Sequence, residues 1–279
     1  MPFYAVFIFF SIEAFYNLID PPQNLVGGVA GTHVALLDRS LFSVAVNTSP
    51  DPVKENLEAI SLLLKAVPDS KSAKDYGIRN QDISSVDSIN EFVEIKNLGV
   101  NFCGRSYRTV PATHSDSAKL AVLASLLSSK FLHKEIREKG GAYGGGAMAN
   151  QQSFSFFSYR DPNNMLTLDV FDRAATWASE GLFTVDQLDE AKISILGKLD
   201  APVAPGARGA TEFLGGMDLE QKQAFRNAII ECSSSGVQDV ACQYLSPSQL
   251  HGNVVIGPDT ETASFRDRGF LVNTFGREK

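Results

Sequence analysis

One stretch, Asp116 to Asn163, sets what this chain can fold into: a long apolar helix, a cluster of glycines, and an aromatic strand. Leu120, Leu123, Ala124, Leu127 and Phe131 recur at helical spacing behind a candidate N-cap, Asp116, and Val122, Leu126 and Leu132 widen the stripe. The first turns of such a helix must be deeply buried. Its last turns carry Lys130, His133, Lys134 and Arg137 as a polar face, so the helix is expected to leave the core and stop at Gly140-Gly141, where cations suit its dipole. Gln152 to Arg160, with Phe154, Phe156, Phe157 and Tyr159, then reads as a strand.

The glycines between them, Gly141 and Gly144 to Gly146, do not form a phosphate cradle. Phosphate loops run from strand to glycines to helix, so that helix N-terminal amides face the anion; here the helix comes first and its negative end meets the glycines. Two readings stay open. The glycines form a C-cap and flexible turn, or they let another backbone approach closely, beside an open strand edge onto which an extended peptide could add.

The run Phe131-Leu132-His133-Lys134-Glu135-Ile136-Arg137-Glu138-Lys139-Gly140-Gly141-Ala142-Tyr143-Gly144-Gly145-Gly146-Ala147 closely resembles the final-domain motif of the presequence proteases, a mitochondrial and plastid branch of the pitrilysin and insulin-degrading-enzyme zinc metallopeptidases. Ser158-Tyr159-Arg160-Asp161-Pro162-Asn163 and Asp200-Ala201-Pro202-Val203-Ala204-Pro205 resemble two further signatures of that branch. The similarity runs from about Ile89 to Pro258, and more loosely over Gly31 to Pro68.

Composition narrows the class further. In 279 residues the net charge is −7 and basic residues are scattered, which argues against nucleic acid as a partner. Cys103, Cys232 and Cys242 are widely spaced, with no Cys-x-x-Cys, as expected of reduced thiols. Met1 to Asp20 is aromatic, but Glu13 and Asn17 interrupt it before membrane-spanning length and no basic segment precedes it; neither a signal peptide nor a membrane anchor is expected. It also lacks the Arg-rich look of a mitochondrial transit peptide, so a mitochondrial address is expected to lie upstream.

In chain order, residues 1–20 are of uncertain status and 21–68 read as the incomplete end of a domain. The latter holds a strand at Leu41 to Asn47 and a helix at Asp51 to Val67 whose Leu57, Ile60, Leu63 and Leu64 should face inward. Residues 69–88 are a polar linker, 89–258 a C-terminal domain and 259–279 a tail. Within 89–258 strands are expected at Glu91 to Ile95, Gly99 to Tyr107 and Asn253 to Ile256, and helices at Met165 to Leu182, Thr184 to Leu199, Asp218 to Ile230 and Val237 to Leu245. With no regular βαβ alternation, the expected class is α+β: a mainly antiparallel sheet with helices packed on one face. Pitrilysin-type domains share that description, and the resemblance implies that 21–68 ends a preceding domain of the same kind.

The chemistry turns on histidines that stand apart. Peptidases of the resembled family hold zinc through a helical His-x-x-Glu-His, whereas His33, His114, His133 and His251 are isolated. His133-Lys134-Glu135 has no following Pro-Cys-x-x-Cys, no Gly-x-Ser-x-Gly elbow is present, and Cys103 reads as a packed thiol. The resemblance implies zinc in the complete enzyme, bound by an N-terminal half on the same or a separate polypeptide and not by this chain, which alone should be inactive. It further implies that Arg137 and Tyr143 reach the substrate: the guanidinium grips peptide carbonyls and the phenol donates to the developing oxyanion. Gly144, Gly145 and Gly146 would let the chain approach an unstructured peptide substrate. The implied home is the mitochondrial matrix or the plastid stroma. The competing expectation is a stand-alone, non-catalytic peptide-binding or scaffold protein.

Overall fold

The computed structural model describes residues 5–10, 42–47, 53–66, 89–150, 152–204, 209 and 218–274. The chain divides into two units, residues 1–84 with 202–218, and residues 85–201 with 219–279. In the first unit strand β1 (Ala5–Phe10) pairs antiparallel with β2 (Phe42–Asn47), and helix α1 spans Val53–Ala66. On α1, Leu57 is 54% exposed. The linker expected at 69–88 lies outside the described residues.

The second unit is built on a six-stranded sheet whose strands are β3 (Asn90–Ile95), β4 (Asn101–Arg108), β5 (Gly144–Asn150), β6 (Ser153–Asp161), β7 (His251–Pro258) and β8 (Leu271–Thr274). Their spatial order is β5-β6-β4-β7-β3-β8. The pairs β5/β6, β6/β4 and β4/β7 are antiparallel, while β7/β3 and β3/β8 are parallel. Alternation decides the buried face: Cys103 and Tyr107 of β4, Phe154 and Phe156 of β6, and Val255 of β7 point into the core. Helices α2 (Ser117–Leu127), α3 (Met165–Ser179), α4 (Val185–Leu199), α5 (Leu219–Glu231) and α6 (Ser234–Tyr244) surround that core.

Helix α2 is covered on almost every side, packing on β5, α4, α5 and α6, which buries Leu120, Val122, Leu123, Ala124, Leu126 and Leu127. Phe156 stacks on Phe171 of α3 at 5.2 Å, with Tyr107 edge-on at 6.3 Å; each such burial contributes roughly 1.5–3 kcal/mol. One polar rung crosses this core. Arg105, 5% exposed, donates from Nε to Asn253 Oδ1 (2.7 Å) and pairs through its guanidinium with Asp172 of α3. Strand parity placed an arginine among Cys103 and Tyr107, and the carboxylate and amide make that burial tolerable.

Four expectations are corrected. The long helix is α-helical only to Leu127 and continues as a π-helical segment, Ser128–Lys139, whose wider turn buries Leu132 and Ile136 and leaves Arg137 exposed. Asp116 makes no side-chain cap; its carboxylate instead takes Lys119 Nζ at 2.8 Å and the Tyr244 hydroxyl at 3.0 Å. Gly144 to Gly146 are not a flexible turn but the first three residues of strand β5, a place where glycine's low strand preference hid them. Finally, residues 259–274 are no tail. A 3-10 turn, helix α7 (Thr262–Asp267) and β8 close the sheet, because Phe265 stacks on Phe92 of β3 at 4.1 Å and Phe270 packs against Phe265 at 5.0 Å.

Burial alone would raise the pKa of Asp116, but the hydrogen bonds from Lys119 and Tyr244 outweigh it and hold the carboxyl below its ordinary value. A depressed folded-state pKa contributes stability that is present above the unfolded carboxylate pKa, about 4, and is lost as pH falls through the folded value. Urea unfolding should therefore show wild type more stable than Asp116→Asn at pH 7, with the gap closing below about pH 4.

Candidate functional site

The site forms where the π-helical segment turns into β5. Gly141 N–H bonds to Arg137 C=O and Ala142 N–H to Ile136 C=O, both at 3.1 Å, and Gly141 takes φ +78°, which glycine adopts without penalty. From the other side Asn163 Nδ2 donates to Gly140 C=O at 2.7 Å, so the turn after β6 clamps the helix end. Glu135 ties the same segment to α3. Its carboxylate receives Lys139 and also Arg173 (2.9 Å); the Lys139 hydrogen bond, aided by Arg173 and opposed by burial, holds its pKa below the ordinary range.

Arg137 and Tyr143 flank this turn, both facing solvent, Tyr143 with 63% of its surface exposed. Among the described residues no hydrogen bond or ring contact joins them. Arg137 Nη1 lies 3.3 Å from His133 Nε2, and His133 Nδ1 lies 3.4 Å from Glu138 Oε1. A guanidinium can only donate, so a hydrogen bond between them would need His133 Nε2 as its acceptor. The phenol ring of Tyr143 sits 5.6 Å from that of Tyr159, and the Arg160 guanidinium carbon is 5.6 Å from its centroid. Phe157 continues the row, 6.5 Å from Tyr159. Nothing in the local pattern assigns Tyr159, Arg160 or Asn163 to the site, although all three lie in one signature.

The three glycines of β5 make room for this chain's own groups. A Cβ on Gly144 would lie 2.6 Å from the Tyr159 ring, and one on Gly145 would press on Phe157 C=O (2.9 Å) and the Ile136 side chain (3.0 Å). Strand β5 is one edge of the sheet, as an added peptide strand would require. That edge is less open than expected, however, since Ser128 Oγ accepts from Ala147 N–H (2.8 Å) and donates to Ala147 C=O (3.1 Å).

Cys103, His114 and His251 lie in other surroundings. Burial pushes the Cys103 thiol up to about 12, so it stays protonated and inert. His114 sits beside Asp116, and the His251 ring lies tilted against Tyr107 at 5.1 Å, with Nδ1 near Gln249 C=O. Among the described residues no three His, Cys, Asp or Glu side chains converge as metal ligands.

The mixed sheet with helices on one face is the fold of M16 peptidase domains. A solved M16 peptidase inactive domain from Pseudomonas fluorescens matches with a TM-score of 0.54 at 19% identity, covering 80% of this chain and 55% of that one. Residues 90–257 match the family described as the PreP C-terminal domain, and the chain belongs to the presequence protease family through that domain. The protein named mitochondrial presequence protease from Xenopus tropicalis is 45% identical over 175 residues, which is 62% of this chain and 17% of that protein. Its namesake from Schizosaccharomyces pombe is 33% identical over 241 residues, 85% of this chain and 24% of that protein. The chain thus spans about a sixth to a quarter of these relatives' length.

The glycine contacts separate two substitutions. Gly144→Ala meets only the outer end of the part-exposed Tyr159 ring and should change thermal unfolding little. Gly145→Ala meets backbone and should cost about 1–3 kcal/mol, read as a lower melting temperature.

Proposed function

We propose that this chain is the C-terminal, substrate-binding portion of a zinc metalloendopeptidase that degrades targeting peptides and other short unstructured peptides in mitochondria, or in plastids. Zinc and the glutamate base belong to an N-terminal half, on the same or a separate polypeptide. In this reading residues 21–68 end a preceding domain of the same kind and 69–88 link it to the next.

The observation that carries the reading is the placement of Arg137 and Tyr143. Both project to solvent from a turn held by the Gly141 N–H, the Asn163 side-chain amide and the Arg160 C=O, so a donor fork and a phenol are presented on a rigid base. Exposed in the chain by itself, they would be desolvated once a peptide and the other half close over them, and hydrogen bonds to a developing oxyanion gain strength there. Gly144 to Gly146 would keep β5 free of side chains that hold a peptide backbone away.

In the assembled enzyme, Arg137→Ala and Tyr143→Phe should each lower kcat/KM on a presequence peptide by about ten-fold or more, the usual effect of deleting one transition-state donor. Wild-type rates from both variants would remove these residues from the site. Peptide binding without hydrolysis, with the other half supplied, would favour a non-catalytic peptide-binding or scaffold protein.

A further inference from the structure

Strand β6 is one residue too long for its neighbour. Asn101 of β4 faces Asp161 and Cys103 faces Ser158, so Tyr159 and Arg160 together oppose Phe102. Such a bulge breaks the in-and-out alternation of a strand and re-aims its side chains. Phe154, Phe156 and Ser158 point into the core, and unbroken alternation would bury Arg160 next. Instead Tyr159 and Arg160 are both exposed and Asp161 takes the buried place.

The bulge is held in an uncommon backbone state, with Arg160 at φ +48°, a left-handed conformation that a non-glycine residue adopts rarely. Everything it re-aims converges on one side chain. Arg160 C=O accepts the Tyr143 N–H (3.2 Å), the Arg160 guanidinium carbon sits 5.6 Å from the Tyr143 ring centroid, and the Tyr159 ring lies 5.6 Å from the same ring. A cation at this distance from an aromatic face is attracted to it. An otherwise freely rotating exposed phenol is thereby held from two sides.

We propose that Arg160 is a positioning residue: the bulge of β6 turns its guanidinium onto the Tyr143 ring and fixes the direction of the phenol hydroxyl. This rests on the role proposed above for Tyr143 and adds a residue that acts through it. Asn163, two residues beyond Asp161, clamps the helix end by its own hydrogen bond to Gly140, so one signature would hold both sides of the turn.

The test is steady-state kinetics of the assembled enzyme on a presequence peptide, with melting temperatures of each variant. Arg160→Gln should lower kcat about two- to five-fold with KM little changed, as loss of an exposed cation–aromatic contact predicts. Arg160→Lys should recover part of the loss. Arg160→Gly relieves the left-handed strain, so it should melt no lower than Arg160→Gln yet lose rate equally, which separates positioning from folding. The double variant Tyr143→Phe/Arg160→Gln should be no slower than Tyr143→Phe alone. Wild-type kcat in Arg160→Gln and Arg160→Gly beside a slow Tyr143→Phe would overturn the inference while leaving Tyr143 in the site, as would losses that multiply in the double variant. A wild-type rate from Tyr143→Phe would remove the role of Tyr143, and this inference with it.

Discussion

The arrangement around Tyr143 depends on one buried carboxyl group. Asp161 has no exposed surface; one side-chain oxygen accepts the Asn163 N–H (2.9 Å) and the other the Thr167 hydroxyl (2.8 Å). A buried carboxyl group is costly unless its oxygens are satisfied, so the chain can place Asp161 here only if the turn after β6 curls back on it and α3 begins where Thr167 can reach it. That constraint explains the bulge, since one extra residue lets Asp161 reach the buried face where Arg160 was due. It also aims Asn163 at the helix end. One buried side chain thus couples the end of β6, the start of α3 and the turn carrying Arg137 and Tyr143.

A second constraint is the crowding between the π-helical segment and β5. Ile136 packs over Gly145 and Ser128 over Ala147, with distances that a side chain on Gly145 would not allow. The wider π turn and the bare strand are complementary: Leu132 and Ile136 stay buried while Arg137 is left on the solvent side. The same contact shapes any use of β5 as a peptide-binding edge. Ser128 already satisfies Ala147, so an added strand would pair on either side of that residue or displace the serine.

Much of this domain was legible in the residues. The apolar run from Leu120 to Leu127 announced a buried central helix, Phe154 and Phe156 announced a strand, and Thr184 with Gln187 announced a helix start that is realised by both capping-box hydrogen bonds (3.2 and 3.1 Å). These are local signals, decided by side-chain period and by groups a few positions apart. Arg137 and Tyr143 entered through resemblance rather than period, and the structure places them at one turn without bringing their side chains into contact.

What the sequence by itself determined, then, is the α+β class, the positions of most strands and helices, and membership in a peptidase family, because hydrophobic period and motif order are properties of neighbouring residues. What only the tertiary structure decided is where long-range partners overrule that period. Arg105 is buried because Asp172 and Asn253 meet it from distant elements, and residues 259–274 join the sheet because Phe265 finds Phe92. Arg160 faces Tyr143 because Asp161 claims the core. None of these is written in the local pattern, since each rests on the free energy of satisfying a buried group whose partner lies far away along the chain.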